Sequence, residues 1–136
     1  MDATLLDTDI VSEIIKQQNA VVIAKAAEYL AEHGKFTFSA FSRFEIRRGY
    51  LERQATRQLQ RFDEFCSHSM VLPVTDAVFD GAAELWATAR KGGNPCGDAD
   101  LIIAATALVQ QFALGTGNTR HFQWVPNLAL SDWRVA

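Results

Sequence analysis

Acidic or amide side chains, whose oxygens can bind metal ions, occur at four places in the sequence: after the first apolar run, early in the segment after the second strand-like run, at the start of a long apolar run, and after the last main strand-like run. These residues are Asp7 and Asp9, then Glu45, then Asp98 and Asp100, and finally Asn118 behind Thr116. Carboxylates that crowd one site repel one another, and some take up protons unless a cation neutralises them. Mg²⁺ and Mn²⁺ prefer such ligands, and one or two of these ions can activate a water for in-line phosphoryl displacement. The residue types therefore indicate metal-assisted phosphoryl chemistry.

Other common chemistries have less support in the sequence. The histidines are His33, His68 and His121, which are far apart along the chain and lack cysteine partners at zinc spacing, so we expect no zinc site. Neither a phosphate-binding glycine motif nor a GxSxG nucleophile elbow occurs. Cys96 lies near the predicted acidic site, but no base is placed to activate it, so we interpret it as a bystander.

The elements that must position these residues alternate between strands and helices. The predicted strands are 3–6, 35–39, 70–74, 112–115 and 128–130, and the predicted helices include 21–32, 42–53, 55–67 and 101–109. This alternation predicts an α/β fold, a three-layer α/β/α sandwich with a central parallel sheet of four to five strands. Ligands bind beyond the carboxyl ends of such strands, so the four polar places are expected to converge there.

Length and composition narrow the functional classes. With 136 residues, of which 49% are hydrophobic and 21% charged, the chain predicts one folded domain over 1–136. The net charge of −3 means that any nucleic acid must be bound by a local basic patch or through metal ions. We find no signal-like N-terminus and no apolar run of about 18 residues, so a cytoplasmic protein without membrane contact is expected.

Four blocks of the sequence resemble the PIN domain and, more closely, the VapC-type toxin of VapBC toxin–antitoxin modules. The blocks are LLDTDIVSEII at 5–15, FSRFEIRRGY at 41–50, GDADLIIAATAL at 97–108 and TGNTRHF at 116–122. The resemblance implies a PIN-like fold and an endoribonuclease, dependent on Mg²⁺ or Mn²⁺, that cleaves single-stranded or looped RNA with metal-activated water. It also implies homodimerisation and inhibition by a small VapB-like antitoxin.

The resemblance assigns roles residue by residue. The catalytic positions fall on Asp7, Glu45, Asp100, Asn118 and Thr116. Of these, the resemblance implies that Asp7, Glu45 and Asp100 bind the metal. Asn118 is neutral where many members have aspartate, which lowers the negative charge of the site. Asp98 is an additional acid that is a possible fourth metal ligand.

Several of these residues also have local structural interpretations. Asp7 and Asp9 suit a turn and a helix N-cap, with Asp9 favoured as the cap. Ser42 and Glu45 fit a capping box, in which the glutamate bonds back to the Ser42 amide. Asp98 suits an N-cap, and Thr116 with Asn118 fits an ordinary polar turn.

Arginines are concentrated in one segment of this acidic chain. Six of the nine lie in residues 43–61, namely Arg43, Arg47, Arg48, Arg53, Arg57 and Arg61. Arg53, Arg57 and Arg61 are four apart, which predicts one helical stripe. The segment fits either a phosphate-binding track or a solvated face that pairs with Asp63 and Glu64. Arg47 and Arg48, close to Glu45, are the candidates for substrate or partner binding.

Two alternative functions remain open from the sequence. LLDTD resembles the opening motif of haloacid-dehalogenase-type phosphatases, with Asp7 as nucleophile and Asp9 as general acid. Against this, Ile10 replaces the usual glycine of that motif. The third hypothesis is a non-catalytic module that binds RNA or protein, with a metal site weakened by Asn118.

Overall fold

The computed structural model describes residues 1–136 and contains one sheet of five short parallel strands. The strands are β1 (Thr4–Leu6), β2 (Thr37–Ser39), β3 (Met70–Leu72), β4 (Ala113–Thr116) and β5 (Leu130–Asp132). Their order in the sheet is β3-β2-β1-β4-β5, and every neighbouring pair is parallel. The predicted parallel sheet is confirmed, with strand ends that differ from the prediction by at most two residues.

Seven helices connect and cover the strands. They are α1 (Thr8–Lys16), α2 (Ala20–His33), α3 (Ala40–Glu52), α4 (Thr56–Ser67), α5 (Asp76–Gly92), α6 (Asp98–Gln110) and α7 (Thr119–Phe122). The four-residue α7 was not predicted, because one turn is too short to show a helical period. None of the seven combines the length and apolar character that crossing a membrane requires.

Two hydrophobic cores lie on opposite faces of the sheet, because successive side chains of a strand point to opposite sides. Leu5 belongs to the core shared with α5, α6 and α7, whereas Leu6 belongs to the core shared with α1 to α4. α6 carries seven consecutive buried residues, Leu101–Ala107, as its nearly continuous apolar sequence predicted. These two cores fix the α/β/α layers.

The strand order reverses between β1 and β4, and this switch point lies at the centre of the sheet. From β1 the chain continues through β2 to β3 on one side, then returns to β4 and β5 on the other. The backbone N–H of Asp7 donates to the Gly115 carbonyl at 2.9 Å, which extends the β1–β4 pairing one residue beyond β1. Open parallel sheets bind ligands at such switch points.

Three predictions about helix starts are wrong. Asp7, not Asp9, is the N-cap of α1, and its side chain accepts a hydrogen bond from the Ile10 N–H. Gly97, not Asp98, is the N-cap of α6. In α3 the cap is Ser39, which leaves no capping box for Ser42 and Glu45. In each case the helix begins one to three residues earlier than the apolar period alone indicates, since polar first turns do not show that period.

The predicted arginine stripe is also wrong. Arg53 is the C-cap residue of α3, whereas Arg57 and Arg61 belong to α4. A break between the two helices separates them, with Gln54 at a positive φ of 53°. The four-residue spacing therefore does not place the three arginines on one helix face.

Candidate functional site

The Asp7 carboxylate lies at the carboxyl end of the central strand and is 8% exposed. Oδ1 accepts the Ile10 N–H at 3.0 Å, and Oδ2 accepts a short hydrogen bond from the Thr116 hydroxyl. An ionised carboxylate offers about four acceptor positions, so two remain for a cation or a water. The same side chain thus caps α1 and faces the switch point between β1 and β4.

Burial dominates the electrostatics of Asp7. Loss of hydration raises the pKa of Asp7 from its ordinary value of 3.8 to about 6, and the negative charges of Asp9 and Asp100 contribute in the same direction. The hydrogen bonds from Thr116 and Ile10 oppose this rise. The ionised form of Asp7 is therefore unfavourable in this buried position at neutral pH, and a nearby positive charge would stabilise it.

Thr116 and Asn118 form the other side of this site. Thr116 ends β4 and is fully buried. Its hydroxyl oxygen accepts the Asn118 backbone N–H at 3.0 Å while its proton is donated to Asp7. Asn118 itself is exposed and precedes α7 without a side-chain capping bond. The polar turn that the sequence suggested is present, and it also orients Asp7.

Glu45 reaches the site through contacts between α1 and α3. The Thr8 hydroxyl lies 2.7 Å from Glu45 Oε1 and 2.9 Å from Ser42 Oγ. Ser42 is fully buried, whereas the Glu45 side chain is 21% exposed. Because Thr8 immediately follows Asp7, this contact brings Glu45 to the same edge of the sheet.

Asp100 lies in the first turn of α6 and contacts a histidine that no sequence pattern marked as a site residue. Its Oδ2 lies 2.8 Å from His121 Nε2 in α7. The Cys96 thiol completes a group of three whose ligand atoms all lie within 4.8 Å of one another. Burial and the charge of Asp100 raise the pKa of Cys96 to about 11. The histidines and cysteines have no zinc-binding spacing along the sequence, yet the fold brings Cys96 and His121 close together.

The structure brings the predicted acids to one edge without packing them into one tight cluster. Asp100 is close enough to influence the pKa of Asp7, and Glu45 is linked to it through Thr8. Nevertheless, Cys96, Asp100 and His121 are the only group of three such residues with ligand atoms all within 4.8 Å of one another. Asp98 is exposed and lines a separate apolar groove with Trp86.

The arginine candidates have partners within the protein. Arg47 forms an ion pair with Asp63, as the pairing interpretation of the segment predicted. Arg48 stacks over the Phe44 ring at 4.9 Å and lies 3.8 Å from Glu45 Oε2. Of the two, Arg48 is the one in contact with a site residue.

Arg134 is a site neighbour that sequence reasoning missed. Its guanidinium pairs with Glu13 at 2.8 Å, and this hydrogen bonding raises the pKa of Arg134, with smaller contributions from Asp9 and Asp7. A Cβ at Gly117 would lie 2.5 Å from Arg134 Nε, so the absence of a side chain there lets the arginine approach. No local pattern indicates this contact, because 17 positions of sequence, including α7 and β5, separate Gly117 from Arg134.

Comparison with known protein families identifies the fold. The model of the PIN domain matches residues 4–126. The chain belongs to the PIN domain family. Among characterised PIN domain relatives, the tRNA(fMet)-specific endonuclease VapC of Shigella flexneri is 29% identical over 130 residues, covering 95% of this chain and 96% of that protein. Ribonuclease VapC1 of Methanocaldococcus jannaschii is 25% identical over 126 residues, covering 93% and 83%.

Solved structures share this PIN fold. The VapBC-1 structure from nontypeable Haemophilus influenzae matches with a TM-score of 0.78 and 26% identity over 97% of this chain and 98% of that one. DNA-bound VapBC from Salmonella typhimurium matches with a TM-score of 0.86 at 23% identity, covering 98% and 99%. At 23% identity, the match to the Salmonella structure supports the shared fold alone.

Proposed function

We propose that this PIN domain is a metal-dependent endoribonuclease that cleaves single-stranded or looped RNA, as the toxin of a toxin–antitoxin module. The observation that carries the proposal is the buried Asp7 carboxylate at the switch point, with Asp100 nearby and Glu45 linked through Thr8. The relatives named as VapC ribonucleases support the reaction class.

The donor set fits Mg²⁺ or Mn²⁺. Asp7 is a buried carboxylate whose pKa is raised to about 6, and the neighbouring negative charge of Asp100 adds to this rise. A divalent cation would offset both effects. Mg²⁺ is typically bound by one or two carboxylates and several waters, so the spacing of Asp7, Glu45 and Asp100 need not be that of a closed cage. We assign Asp7 and Asp100 as ligands, with Glu45 as the third.

The ion would supply activation of water and stabilisation of negative charge at the phosphate. The residues of the chain have distinct tasks around it. Thr116 keeps one Asp7 oxygen oriented by donating its hydroxyl proton, and Thr8 does the same for Glu45. Glu45 retains its second carboxylate oxygen for a water or a ligand contact. Asn118, exposed beside Thr116, offers an amide to the substrate.

The same edge suits an inhibitory protein partner. Asp9 and Asp100 place negative charge at the surface beside the buried Asp7, and a basic side chain of an antitoxin would complement it. Solved relatives are described as VapBC complexes, which supports a VapB-like antitoxin as the partner. Homodimerisation belongs to this proposal by the same resemblance.

The haloacid-dehalogenase alternative receives no support from the geometry of Asp7. Both carboxylate oxygens already accept hydrogen bonds, and only 8% of the residue is exposed. A nucleophilic carboxylate needs an oxygen directed at the substrate phosphorus. Here each oxygen is fixed by one hydrogen bond, to α1 or to Thr116, which leaves a lone pair for a cation but restricts the rotation that in-line attack on a phosphorus requires.

Cleavage of a structured RNA with and without Mg²⁺ tests the proposal. We expect wild-type cleavage that EDTA stops, and losses of at least about 100-fold in Asp7→Asn and Asp100→Asn, because each removes a charged ligand. Asp80→Asn, which makes the same charge change at an exposed position of α5, is the matched control and should retain activity. Metal-independent cleavage, or full activity in either site variant, would contradict the assigned roles. RNA binding without metal uptake or cleavage would favour the non-catalytic module.

A further inference from the structure

The cluster of Cys96, Asp100 and His121 contains ligand types that Mg²⁺ does not require. A thiol, an imidazole and a carboxylate approach from three segments: the loop before α6, the first turn of α6, and α7. Thiolate and imidazole ligands select borderline-soft transition ions, in contrast to the oxygen-only ligands of Mg²⁺. The cluster therefore differs in chemistry from the Asp7 side of the site.

The geometry of the cluster is close to that of a three-ligand zinc site. Zn²⁺ bonds of about 2.3 Å to sulfur and 2.0 Å to nitrogen and oxygen give ligand–ligand separations of roughly 3.3–3.5 Å in a tetrahedron. The Asp100–His121 separation is 2.8 Å, and all three ligand atoms lie within 4.8 Å of one another. Shifts of less than about an ångström, within ordinary side-chain motion, would bring the three to these values.

The cluster is also accessible and anchored. The side chains of His121 and Asp100 are 32% and 38% exposed, which leaves a path for an ion from solvent. Cys96 packs against the core between α5 and α6, so its position does not depend on the mobility of an isolated loop residue. The His121 ring packs edge to face against the ring of the buried Phe122, with the ring centroids 5.3 Å apart, and this contact orients the imidazole.

We propose that Cys96, Asp100 and His121 bind Zn²⁺ through the thiolate sulfur, a carboxylate oxygen and Nε2. On binding, the S–H bond of Cys96 breaks, a zinc–sulfur bond forms and the proton passes to solvent. The proton that His121 Nε2 shares with Asp100 is released to solvent while Nδ1 takes up a proton, and the Asp100–His121 hydrogen bond is replaced by two bonds to the ion. Three protein ligands leave a fourth tetrahedral position open to water.

Zinc at this cluster has a consequence that depends on the proposed nuclease function. Asp100 cannot bind Zn²⁺ with the oxygen that faces His121 and remain an unperturbed ligand beside Asp7. We therefore expect Zn²⁺ to inhibit cleavage supported by Mg²⁺, even at Zn²⁺ concentrations far below that of Mg²⁺. In the cell, available Zn²⁺ would then inhibit the enzyme by binding to this cluster.

Cobalt substitution tests the binding site without any reference to activity. Co²⁺ added to the reduced, full-length protein should give a thiolate-to-cobalt charge-transfer band and visible d–d bands at one equivalent, and Zn²⁺ should displace both. Cys96→Ser should abolish the charge-transfer band, and His121→Gln should weaken Co²⁺ binding at least about tenfold. Cys66→Ser and His68→Gln are the matched controls, since Cys66 is the other free cysteine and His68 is exposed.

The outcomes separate the two proposals. Absence of the charge-transfer band in the wild type, or its persistence in Cys96→Ser, would overturn the zinc site. In the cleavage experiment, Cys96→Ser should retain wild-type activity with Mg²⁺. The Zn²⁺ concentration that halves this activity should be at least about tenfold higher than for the wild type. A chain that shows the cobalt spectrum but never cleaves RNA would support the zinc site and refute the nuclease.

Discussion

At the scale of single residues, the most consequential group is the buried Asp7. The folded state raises the pKa of Asp7 from 3.8 to about 6, so folding favours the protonated form. Protonation of Asp7 stabilises the folded protein fully below about pH 3.8, and this stabilisation is lost as the pH rises through about 6. Without a cation, ionised Asp7 therefore destabilises the folded protein at neutral pH, by an amount on the order of 3 kcal/mol.

Asp7→Asn should make the protein more stable while it inactivates the site. In EDTA at about pH 8, we expect its free energy of unfolding to exceed that of the wild type by about 1–3 kcal/mol, because the buried charge is removed. Near pH 4.5 the difference should shrink, since wild-type Asp7 is then mostly protonated. Urea denaturation at both pH values measures this. Asp9→Asn, at an exposed neighbour, should show no such pH-dependent gain.

Thr116→Val should be destabilising although the two side chains have nearly the same shape. The valine cannot donate to Asp7 or accept the Asn118 N–H, and both partners are left without their hydrogen bond. We expect a loss of about 1–3 kcal/mol in thermal or chemical denaturation. Thr116→Ser retains the hydroxyl and should restore most of the loss, and equal destabilisation by serine and valine would assign the effect to packing.

The residue types at the site could be predicted from the sequence, but most of their partners could not. Asp7, Glu45 and Asp100 follow recognisable elements, so a shared sheet edge was predictable. The contact of Asp100 with His121 joins positions 21 residues apart, through a turn of helix too short to predict. Likewise, no local sequence pattern distinguishes an aspartate that caps a helix from one that binds an ion. Asp7 caps α1 and is also our proposed metal ligand.

At the scale of secondary structure elements, the contact between α1 and α3 determines where Glu45 points. Thr8, in the first turn of α1, is bonded to both Ser42 and Glu45 of α3. The capping box predicted for α3 was wrong because the helix begins earlier, at Ala40. Glu45 is consequently one full turn inside the helix, and its carboxylate is directed to α1 rather than to its own backbone.

Thr8→Val should reduce cleavage in a protein that remains folded. Loss of the hydroxyl releases Glu45 from its 2.7 Å hydrogen bond, so the carboxylate samples other rotamers. We expect a fall of about 10-fold or more in kcat, and a loss of about 1–3 kcal/mol in unfolding free energy because the buried Ser42 hydroxyl also loses its partner. Thr8→Ser, which keeps the donor, is the control. A Thr8→Val variant with wild-type kcat would show that the Glu45 orientation is unimportant.

At the scale of the whole molecule, the C-terminal segment completes the core. Trp133 is fully buried and contacts Tyr29 with ring centroids 5.8 Å apart, so it connects the end of the chain to α2. Arg134 then pairs with Glu13 of α1. No sequence pattern distinguishes Trp133 from Trp86, yet Trp86 is 47% exposed. That difference arises from tertiary packing, which composition does not encode.

Trp133→Ala should therefore destabilise the protein by about 3–5 kcal/mol, the usual cost of deleting a large buried aromatic side chain. Trp86→Ala should cost about 1 kcal/mol or less, because half of that side chain remains in solvent. Guanidinium denaturation of the two variants makes the comparison. Similar losses in both would mean that the C-terminal segment does not complete the core that Leu6 shares with α1 to α4.

The distance along the chain between Asp7 and Thr116 has a consequence for synthesis. The carboxylate directly follows β1, whereas the hydroxyl that orients it is 109 residues later in the chain. An unfinished nascent chain therefore possesses the anion but not its orienting partner, nor the strands β4 and β5 that complete one side of the sheet. If the protein cleaves RNA, a growing copy therefore lacks the oriented Asp7 carboxylate until residues through Thr116 have been made and β4 has paired with β1.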